Sequence, residues 1–353
     1  MKKVRFGVVG TNFITDWVIA GAAQDSRFEL AAVCSRTEAR AEEFARRYNI
    51  PYRYTSLEEM AASPFIDAVY IATPNALHAS QSILAMSYGR HVLCEKPLAS
   101  NSAEAKAMIE ASRRYDVTLM EAMKPTLTPN FRAVLDNFRK VGKVRRYFSS
   151  YCQYSSRYDR FKAGEYVNAF NPEYANGAVM DIGVYTIYPM VVLFGMPERI
   201  MASGTVLSSG ADGQGSVLFR YPGMEASVLY SKIADSYLPS EIQGEDGTLV
   251  IDRINRIGNV AFIPRRNNVT GGKGEPAHPV DLTHVAEMDE YYYEVSEFID
   301  LVLSSRRESP INSHMNSLAV MQIVDEIRRQ LGVVFPADRG GRVPSGDGLL
   351  CRQ

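Results

Sequence analysis

Short hydrophobic runs alternate with longer amphipathic stretches over the first 122 residues of the chain. The short runs predict strands, and the stretches with apolar positions three or four residues apart predict helices between them. The predicted strands are residues 4–9, 28–34, 52–54, 67–72, 91–94 and 117–120, and the predicted helices are residues 13–23, 38–48, 57–61, 77–88 and 102–115. Alternation of this kind predicts an α/β Rossmann domain over residues 1–122, with a parallel, doubly wound sheet.

The pattern changes after residue 122, where strands dominate and helices become fewer. The predicted strands are residues 146–154, 200–207, 215–220, 226–232, 240–243, 248–251 and 260–263, and the predicted helices are residues 130–140, 178–194, 287–303 and 313–331. Runs of strands with separate helices predict an α+β domain on an antiparallel sheet over residues 123–335. Residues 265–283, rich in Gly, Pro and Asn, predict a mobile surface loop, and residues 336–353 predict a C-terminal tail.

Composition and charge narrow the classes of partner. The chain has 353 residues and a net charge of −1, so charge-driven binding to nucleic acid or anionic membranes is not expected. No apolar run approaches the ~20 residues of a membrane span. The cysteines Cys34, Cys94, Cys152 and Cys351 have no paired spacing, which predicts free thiols and a cytoplasmic location. We therefore expect a small-molecule substrate.

A candidate nucleotide-binding turn joins the first strand to the first helix. A dinucleotide pyrophosphate meets a helix N-terminus at this position, and glycines normally let the backbone approach it. Gly10 stands in that pattern, whereas Asn12 and Thr15 replace its other small residues; asparagine tolerates positive φ, so the turn can persist. The candidate residues are Gly10, Thr11, Asn12, Phe13 and Ile14. An ordinary strand–helix turn is the alternative.

The end of the second strand indicates which dinucleotide is bound. An acid there usually binds the ribose 2′-hydroxyl of NAD, but this chain has Ser35 and Arg36, with Arg40 one turn later. An arginine can pair with a 2′-phosphate, assisted by nearby hydroxyl groups. The sequence therefore favours NADP(H), with NAD(H) possible, and a solvated arginine at a helix start remains the alternative.

Lys96 follows the fifth strand, at the edge where ligands of parallel sheets bind. Pro97 restricts the backbone of Lys96 to extended conformations. A partly buried lysine beside a positively charged nicotinamide is expected to have a lowered pKa, and it can hydrogen-bond a substrate oxygen or transfer its proton. A surface lysine in a loop is the alternative.

Asp181 and Tyr185 lie four residues apart in an otherwise apolar predicted helix, and so share one face. Tyr185 can exchange a proton with an alkoxide if its pKa falls, and a neighbouring ammonium such as Lys96 would lower it. Asp181 can orient the substrate or the lysine, and Gly183 between them leaves room for a ligand or another backbone. A helix-terminal aspartate and an interface tyrosine are the alternatives.

Further candidates follow the fourth and fifth strands. Thr73, Pro74 and Asn75 can contact the cofactor, as can His78 and Glu95. Alternatively, Asn75 caps the next helix, His78 is structural and Glu95 forms a salt bridge. Metal binding is not expected, because the five histidines are scattered and no zinc-type spacing occurs. Tyrosines such as Tyr147, Tyr151, Tyr154 and Tyr158 can stack on a sugar, although sheet packing or a subunit interface is favoured.

These motifs together resemble the Gfo/Idh/MocA family of oxidoreductases. The matching segments are residues 7–14, 71–78, 89–98 and 176–185, and the similarity covers residues 3–335. The resemblance implies an N-terminal Rossmann domain, a C-terminal domain with a large open, mostly antiparallel sheet, and a homodimer or higher homo-oligomer through that sheet. The Asp-x-Gly-x-Tyr pattern at Asp181 and Tyr185 is similar to the dimeric dihydrodiol dehydrogenase and glucose-fructose oxidoreductase subgroup.

The resemblance implies an NADP-dependent oxidoreductase acting on a hydroxyl or carbonyl carbon of a sugar-like, diol or dicarbonyl substrate. Lys96 and Tyr185 are then catalytic, and Asp181 assists and contacts substrate. The chain departs from the family where an arginine-bearing stretch becomes residues 123–129, and Lys124 is a candidate replacement for the charge of that arginine. Two alternatives remain: a non-catalytic NADP-binding regulatory protein, and dismutation of two sugars on a cofactor retained in one site.

Overall fold

The first sheet is a six-stranded parallel sheet, as the sequence predicts. The structure, a computed structural model, describes residues 2–265 and 278–339. The strands are β1 (Val4–Val9), β2 (Phe28–Cys34), β3 (Tyr52–Tyr54), β4 (Ala68–Ile71), β5 (His91–Glu95) and β6 (Leu119–Ala122). Their order is β3-β2-β1-β4-β5-β6, and every described pair is parallel. The strand order reverses between β1 and β4, and ligands of such sheets bind at this point.

Helices cover both faces of this sheet. They are α1 (Phe13–Ala22), α2 (Glu38–Tyr48), α3 (Leu57–Ala62), α4 (Asn75–Ser87) and α5 (Ser102–Tyr115). Strand β6 begins two residues later than predicted. The N–H of Val117 donates to the carbonyl oxygen of Ser112, and Asp116 takes a left-handed conformation with φ 55°. The end of α5 therefore uses Val117, which is unavailable to the strand.

The second sheet has eight strands and is mostly antiparallel, again as predicted. They are β7 (Val144–Cys152), β8 (Arg199–Val206), β9 (Asp212–Tyr221), β10 (Met224–Ser231), β11 (Ser240–Gly244), β12 (Gly247–Ile251), β13 (Val260–Pro264) and β14 (Val280–Asp281). Their order is β14-β13-β12-β11-β7-β10-β9-β8. Strands β7 and β10 pair in parallel, and the other described pairs are antiparallel.

The remaining helices follow residue 122. They are α6 (Pro129–Asn137), α7 (Tyr158–Lys162), α8 (Val184–Phe194), α9 (Glu290–Leu303) and α10 (His314–Leu331). Helices α8 and α10 cover one face of the sheet, whereas α9 returns to the first domain and packs against α1 and β1. This return places acidic and aromatic side chains of α9 beside the carboxyl edge of the first sheet.

The helix predicted over residues 178–194 is two elements. A π-helical turn (Val179–Gly183) precedes α8. The segment Pro172–Phe194 has the length and hydropathy of a membrane span, but 72% of its most apolar window is buried inside the protein, as in a core helix.

Two predictions about irregular segments need correction. Residues 266–277 of the predicted mobile loop lie outside the described residues, but Val280–Asp281 forms an edge strand. The predicted tail begins with an anchored 3₁₀ turn (Pro336–Arg339), because Asp338 accepts hydrogen bonds from Arg328, Asn101 and the N–H of Phe335. Residues 340–353, including Cys351, are also outside the described residues.

Candidate active site

Lys96 lies at the carboxyl end of β5 with only 14% of its side chain exposed. Its Nζ donates to the carbonyl oxygen of Asp181 at 2.7 Å and to Oδ1 of Asp181 at 3.1 Å. An ammonium has three N–H groups, so one remains for a ligand oxygen. The bend after Lys96 contains a cis Lys96–Pro97 bond and is held by Glu121, whose Oε1 accepts from the N–H of Leu98 at 3.0 Å.

The π turn presents Asp181 to this lysine. Its first N–H, that of Val179, donates to Oδ2 of Asp212 at 2.7 Å. The turn also packs closely, since a Cβ on Gly177 would lie 2.1 Å from Oδ1 of Asp212. Gly183 packs against the ring of Tyr230 rather than lining open space. The sheet strand that carries Asp212 therefore fixes the turn, and π turns of this kind are frequent at functional sites.

Tyr185 completes the cluster. The Nζ of Lys96 lies 4.9 Å from the centroid of the Tyr185 ring. The ring of Tyr151 packs edge-on against Tyr185, with centroids 5.6 Å apart. The structure thus brings together the three side chains predicted to be catalytic, although they come from distant segments of the chain.

The pKa directions in the polypeptide differ from those expected. Burial lowers the pKa of Lys96, but the negative charges of Asp181 and Glu95 outweigh burial and leave that pKa above its usual value. Burial raises the pKa of Tyr185 well above 10, and the charge of Glu95 adds to this. The predicted lowering of the Tyr185 pKa is therefore wrong, because burial and nearby acidic groups raise it. The lowering predicted for Lys96 beside a nicotinamide stays a prediction.

The pKa of Asp181 is held far below its usual value. Burial raises this pKa, but the positive charges of Lys232 and Lys96 outweigh burial. Both lysines also donate hydrogen bonds to the carboxylate. Asp181 is thus a permanent anion at neutral pH, and it orients Lys96 rather than exchanging protons itself.

The candidate nucleotide turn has the backbone that a pyrophosphate needs. Gly10 has φ 102°, and a Cβ there would lie 2.4 Å from the carbonyl oxygen of Ala72. Asn12 has φ −95°, so the positive-φ explanation for Asn12 is wrong. Its Oδ1 instead caps α1 by accepting from the N–H of Ile14, and its Nδ2 donates to the carbonyl oxygen of Ala72. Thr11 and the exposed Phe13 flank this cap at the same sheet edge.

The residues after β2 form an exposed basic surface. Arg36 is exposed, and Arg40 forms an exposed ion pair with Glu43 at 3.2 Å. Ser35 is half-buried, and its N–H donates a hydrogen bond to the carbonyl oxygen of Tyr54. This donor set fits the 2′-phosphate of NADP, because arginine binds phosphate through several N–H groups at once.

The residues after β4 connect the two domains. Asn75 is the first residue of α4 and makes no capping bond. Its Nδ2 donates to the carbonyl oxygen of Ala175 at 2.9 Å and to Oδ1 of Asn176 at 3.0 Å. The capping alternative for Asn75 is therefore wrong. Pro74 is exposed at the edge, and the hydroxyl of Thr73 donates to Gln81 at 2.6 Å.

Two predicted cofactor residues point inward. His78 is fully buried, and its ring nitrogens lie 2.9 Å from the carbonyl oxygens of Pro97 and Thr73. The prediction that His78 contacts the cofactor is therefore wrong. Its ring instead links the loop at Thr73 to the loop at Pro97. The carboxylate of Glu95 is 8% exposed and accepts from the hydroxyl of Tyr70 at 2.6 Å.

Lys124, the predicted substrate residue, is 12% exposed and ion-paired. Its Nζ lies 2.6 Å from Oε1 of Glu290 and 4.3 Å from the centroid of the Tyr291 ring. Arg256 also reaches Glu290, at 3.4 Å. The charge of Lys124 is thus neutralised by α9, a contact between elements far apart in sequence.

Sequence reasoning missed two residues of the cluster. Lys232 was placed at the end of a strand, yet its Nζ lies 2.5 Å from Oδ2 of Asp181. For Tyr151 the sequence favours sheet packing or a subunit interface, with stacking on a sugar as the alternative, and its ring contacts that of Tyr185. Strand alternation was an available signal for Lys232, since it places this residue on the same face as the buried Val228 and Tyr230. Within residues 2–265 and 278–339, no group of three metal-type ligands was found.

Comparisons with known proteins agree with this architecture. Residues 4–123 match the model of an oxidoreductase family with an NAD-binding Rossmann fold, and residues 134–250 match the GFO/IDH/MocA C-terminal domain. The chain is 49% identical over 339 residues to scyllo-inositol 2-dehydrogenase (NADP⁺) IolU of Bacillus subtilis strain 168, covering 95% of this chain and 99% of that protein.

Two further matches extend the comparison. Trans-1,2-dihydrobenzene-1,2-diol dehydrogenase of Danio rerio is 32% identical over 348 residues, covering 95% of this chain and 99% of that protein. A levoglucosan dehydrogenase structure with NADH and levoglucosan has a TM-score of 0.81 at 22% identity, covering 94% of this chain and 98% of that one. At that identity, the structural match supports the fold alone.

Proposed function

Because the chain belongs to the GFO/IDH/MocA oxidoreductase family, we propose that it oxidises a secondary hydroxyl of a cyclic polyol with NADP⁺, and reduces the corresponding ketone in reverse. The observation that carries this proposal is the grouping of Lys96, Asp181 and Tyr185 at the carboxyl edge of the first sheet. A non-catalytic regulatory protein would not require this arrangement of an anion between two buried ammonium groups beside a phenol.

Each side chain has a distinct role. The free N–H of Lys96 binds the substrate oxygen and stabilises the negative charge that develops on it. Tyr185 accepts the hydroxyl proton as a phenolate, and the ammonium 4.9 Å from its ring partly offsets the rise in its pKa that burial and Glu95 cause. Asp181 holds Lys96 through two hydrogen bonds. The neighbouring Tyr151 packs against the Tyr185 ring, with the ring centroids 5.6 Å apart.

The cofactor supplies hydride acceptance and donation when bound. Gly10 and the N-terminus of α1 would hold its pyrophosphate, because a side chain at Gly10 would collide with Ala72. Arg36 and Arg40, with the hydroxyl of Ser35, would hold the 2′-phosphate of NADP. Thr73 and Pro74 follow β4 at the same edge and would contact the bound cofactor.

The substrate class follows from the relative and from local charge. The 49% identical relative carries the name of an NADP⁺-dependent scyllo-inositol 2-dehydrogenase. Lys124 is 12% exposed and ion-paired with Glu290, so its ammonium is not free to select an anionic substrate. Tyr151 offers a ring edge beside Tyr185 for an uncharged ring with several hydroxyl groups.

The assembly and location are further parts of this proposal. The outer face of the second sheet exposes Met201 and Leu218, which are paired across β8 and β9 and are 42% and 48% exposed. A second copy of the chain would bury them, giving a homodimer. The cysteines among the described residues, Cys34, Cys94 and Cys152, are free thiols, which supports a cytoplasmic location.

Turnover of cyclic polyols tests the proposed function. We expect absorbance of reduced nicotinamide to rise when scyllo-inositol is added to protein and NADP⁺, with linear acyclic polyols as the comparison. Myo-inositol, levoglucosan and a trans-dihydrodiol complete the panel. The absence of reduction with every cyclic polyol, with either NADP⁺ or NAD⁺ and with cofactor binding demonstrated, would contradict the proposal.

Arg36→Asp is expected to reverse the cofactor preference. The change removes a phosphate ligand and introduces an acid that repels phosphate and accepts from a ribose hydroxyl. We expect kcat/KM for NADP⁺ to fall by about 10²-fold, while kcat/KM for NAD⁺ is unchanged or higher. The control Arg46→Asp changes an arginine on α2 that is 75% exposed and should leave both values unaltered. An unchanged preference in Arg36→Asp would remove this residue from the cofactor site.

A further inference from the structure

Lys232 is a lysine buried at the inward face of the second sheet. It follows β10, and 5% of its side chain is exposed. Its Nζ donates to Oδ2 of Asp181 at 2.5 Å and to the carbonyl oxygen of Ala169 at 3.2 Å, and lies 4.9 Å from the Phe170 ring centroid. A buried ammonium is unfavourable unless it is paired. Lys232 is thus ion-paired with the Asp181 carboxylate, which orients Lys96.

The Asp181 carboxylate is held from two sides. Oδ1 faces Lys96 at 3.1 Å, and Oδ2 faces Lys232 at 2.5 Å. A carboxylate with one partner can rotate about its terminal bond, whereas a carboxylate fixed at both oxygens cannot without losing a charge-assisted hydrogen bond. The orientation of Oδ1 toward Lys96 therefore depends on Lys232.

We propose that Lys232 is a positioning residue of the active site, which fixes Asp181 so that its other oxygen holds Lys96 in place for the substrate. This role rests on the proposed function, since Lys96 is there the group that binds the substrate oxygen. With 5% of its side chain exposed and its hydrogen bonds going to Asp181 and to the main chain at Ala169, Lys232 acts through Asp181.

Lys232 also sets the charge of the cluster. Lys96, Lys232 and Asp181 together carry one net positive charge, and removing Lys232 leaves none. A lost positive charge raises the pKa of nearby groups, including Tyr185 and Lys96. The other ionisable groups that interact with these four residues include His78, Glu95, Glu121, Tyr151, Asp212, Tyr291 and Glu294, and Lys124 acts in turn on Glu95 and Glu294. Replacing Lys232 by a neutral residue raises the pKa of Asp212 as well, because Asp212 then loses the positive charge that lowers it.

Lys232→Gln tests the proposal through the pH profile of polyol oxidation. We expect kcat to fall about 10- to 100-fold, and the limb on which kcat rises with pH to move up by about one pH unit. The dissociation constant of NADPH should stay unchanged, because Lys232 is not part of the nucleotide turn. The control Lys106→Gln replaces a lysine on α5 that is 68% exposed and should match the wild type. A Lys232→Gln enzyme with the kcat and pH profile of that control overturns the proposal.

Lys232→Arg keeps the test decisive if Lys232→Gln does not fold. This variant retains the buried positive charge, so its pH limb should stay at the wild-type position. A folded Lys232→Arg enzyme whose limb moves by a full unit overturns the charge-based part of the role. Thermal unfolding of each variant confirms that folded proteins are compared.

A crystal structure of Lys232→Gln supplies a readout that needs no turnover. We expect the Asp181 carboxylate to rotate and its hydrogen bond to Lys96 to be lost or lengthened. An unmoved carboxylate with Oδ1 still bonded to Lys96 overturns the positioning role, whatever the substrate is. Failure of the wild type to oxidise any polyol, with the carboxylate rotated as expected, refutes the proposed function instead.

Discussion

Lys96→Met is expected to abolish turnover while leaving the fold intact. The lost ammonium removes both the N–H that binds the substrate oxygen and the charge that favours the Tyr185 phenolate, so we expect kcat to fall by about 10³- to 10⁴-fold. Methionine fills similar space without a charge. Asp181 keeps Lys232 as a partner at 2.5 Å, so no unpaired carboxylate remains to destabilise the protein. Initial rates with a polyol that the wild type oxidises measure this loss.

The interpretation of that loss depends on two controls. Thermal unfolding should give a Tm close to that of the wild type, and NADPH should bind with similar affinity. Lys106→Met, on the exposed surface of α5, should retain full activity. Full activity of Lys96→Met on a verified substrate would contradict the assignment of this lysine as catalytic.

The position of Lys96 could be predicted because it depends on local pattern and general topology. A hydrophobic run of strand length, followed by Glu95, Lys96 and Pro97, places the lysine at a strand end. The carboxyl ends of parallel strands meet at one edge, so such a residue lies near a bound nucleotide. The alternation of strands and helices over residues 1–122 fixed that topology without any knowledge of tertiary contacts.

The π turn could not be predicted in the same way. Apolar positions over residues 178–194 fit one continuous helix. The turn instead depends on Asp212, a residue on β9 that accepts from the N–H of Val179, and periodicity contains no information about a partner so distant in the chain. The sequence therefore located Asp181 and Tyr185 but not the element that holds them.

Side-chain direction explains the other differences. Strand alternation places Glu95 on the same face as Leu93, toward Tyr70 and away from the open edge. The same alternation places Lys232 on the buried face with Val228 and Tyr230, and a lysine there requires an anion. Applying the rule to charged residues at strand ends, and not only to hydrophobic ones, would have identified Lys232 from the sequence.

Asp181→Asn is expected to destabilise the protein as well as inactivate it. The change leaves Lys96 and Lys232, which are 14% and 5% exposed, without their shared anion. Removing one partner of a buried ion pair typically costs 3–5 kcal/mol. Since 40% of the Asp181 side chain is exposed, water can partly solvate the two lysines in place of the lost carboxylate. We therefore expect the free energy of unfolding at pH 7 to fall by about 2–3 kcal/mol.

The pH dependence of this loss identifies its cause. In the wild type, the low pKa of Asp181 contributes stability that is present above pH ~4 and is lost as the pH falls toward its folded value. In Asp181→Asn, burial without the Asp181 anion lowers the pKa of Lys96, so the penalty is present below that pKa and is relieved as the pH rises through it. The difference in unfolding free energy should therefore narrow at alkaline pH.

The double variant Asp181→Asn/Lys232→Met separates the unpaired charge from the lost hydrogen bonds. Methionine removes the more buried ammonium while filling its space beside Phe170. If the unpaired charge causes the instability, the free energy of unfolding of the double variant is larger than that of Asp181→Asn alone, although both remain inactive. A double variant no more stable than the single one, by chemical denaturation at pH 7, would show that Lys232 is not stabilised through Asp181, and the shared-carboxylate interpretation of the cluster would be wrong.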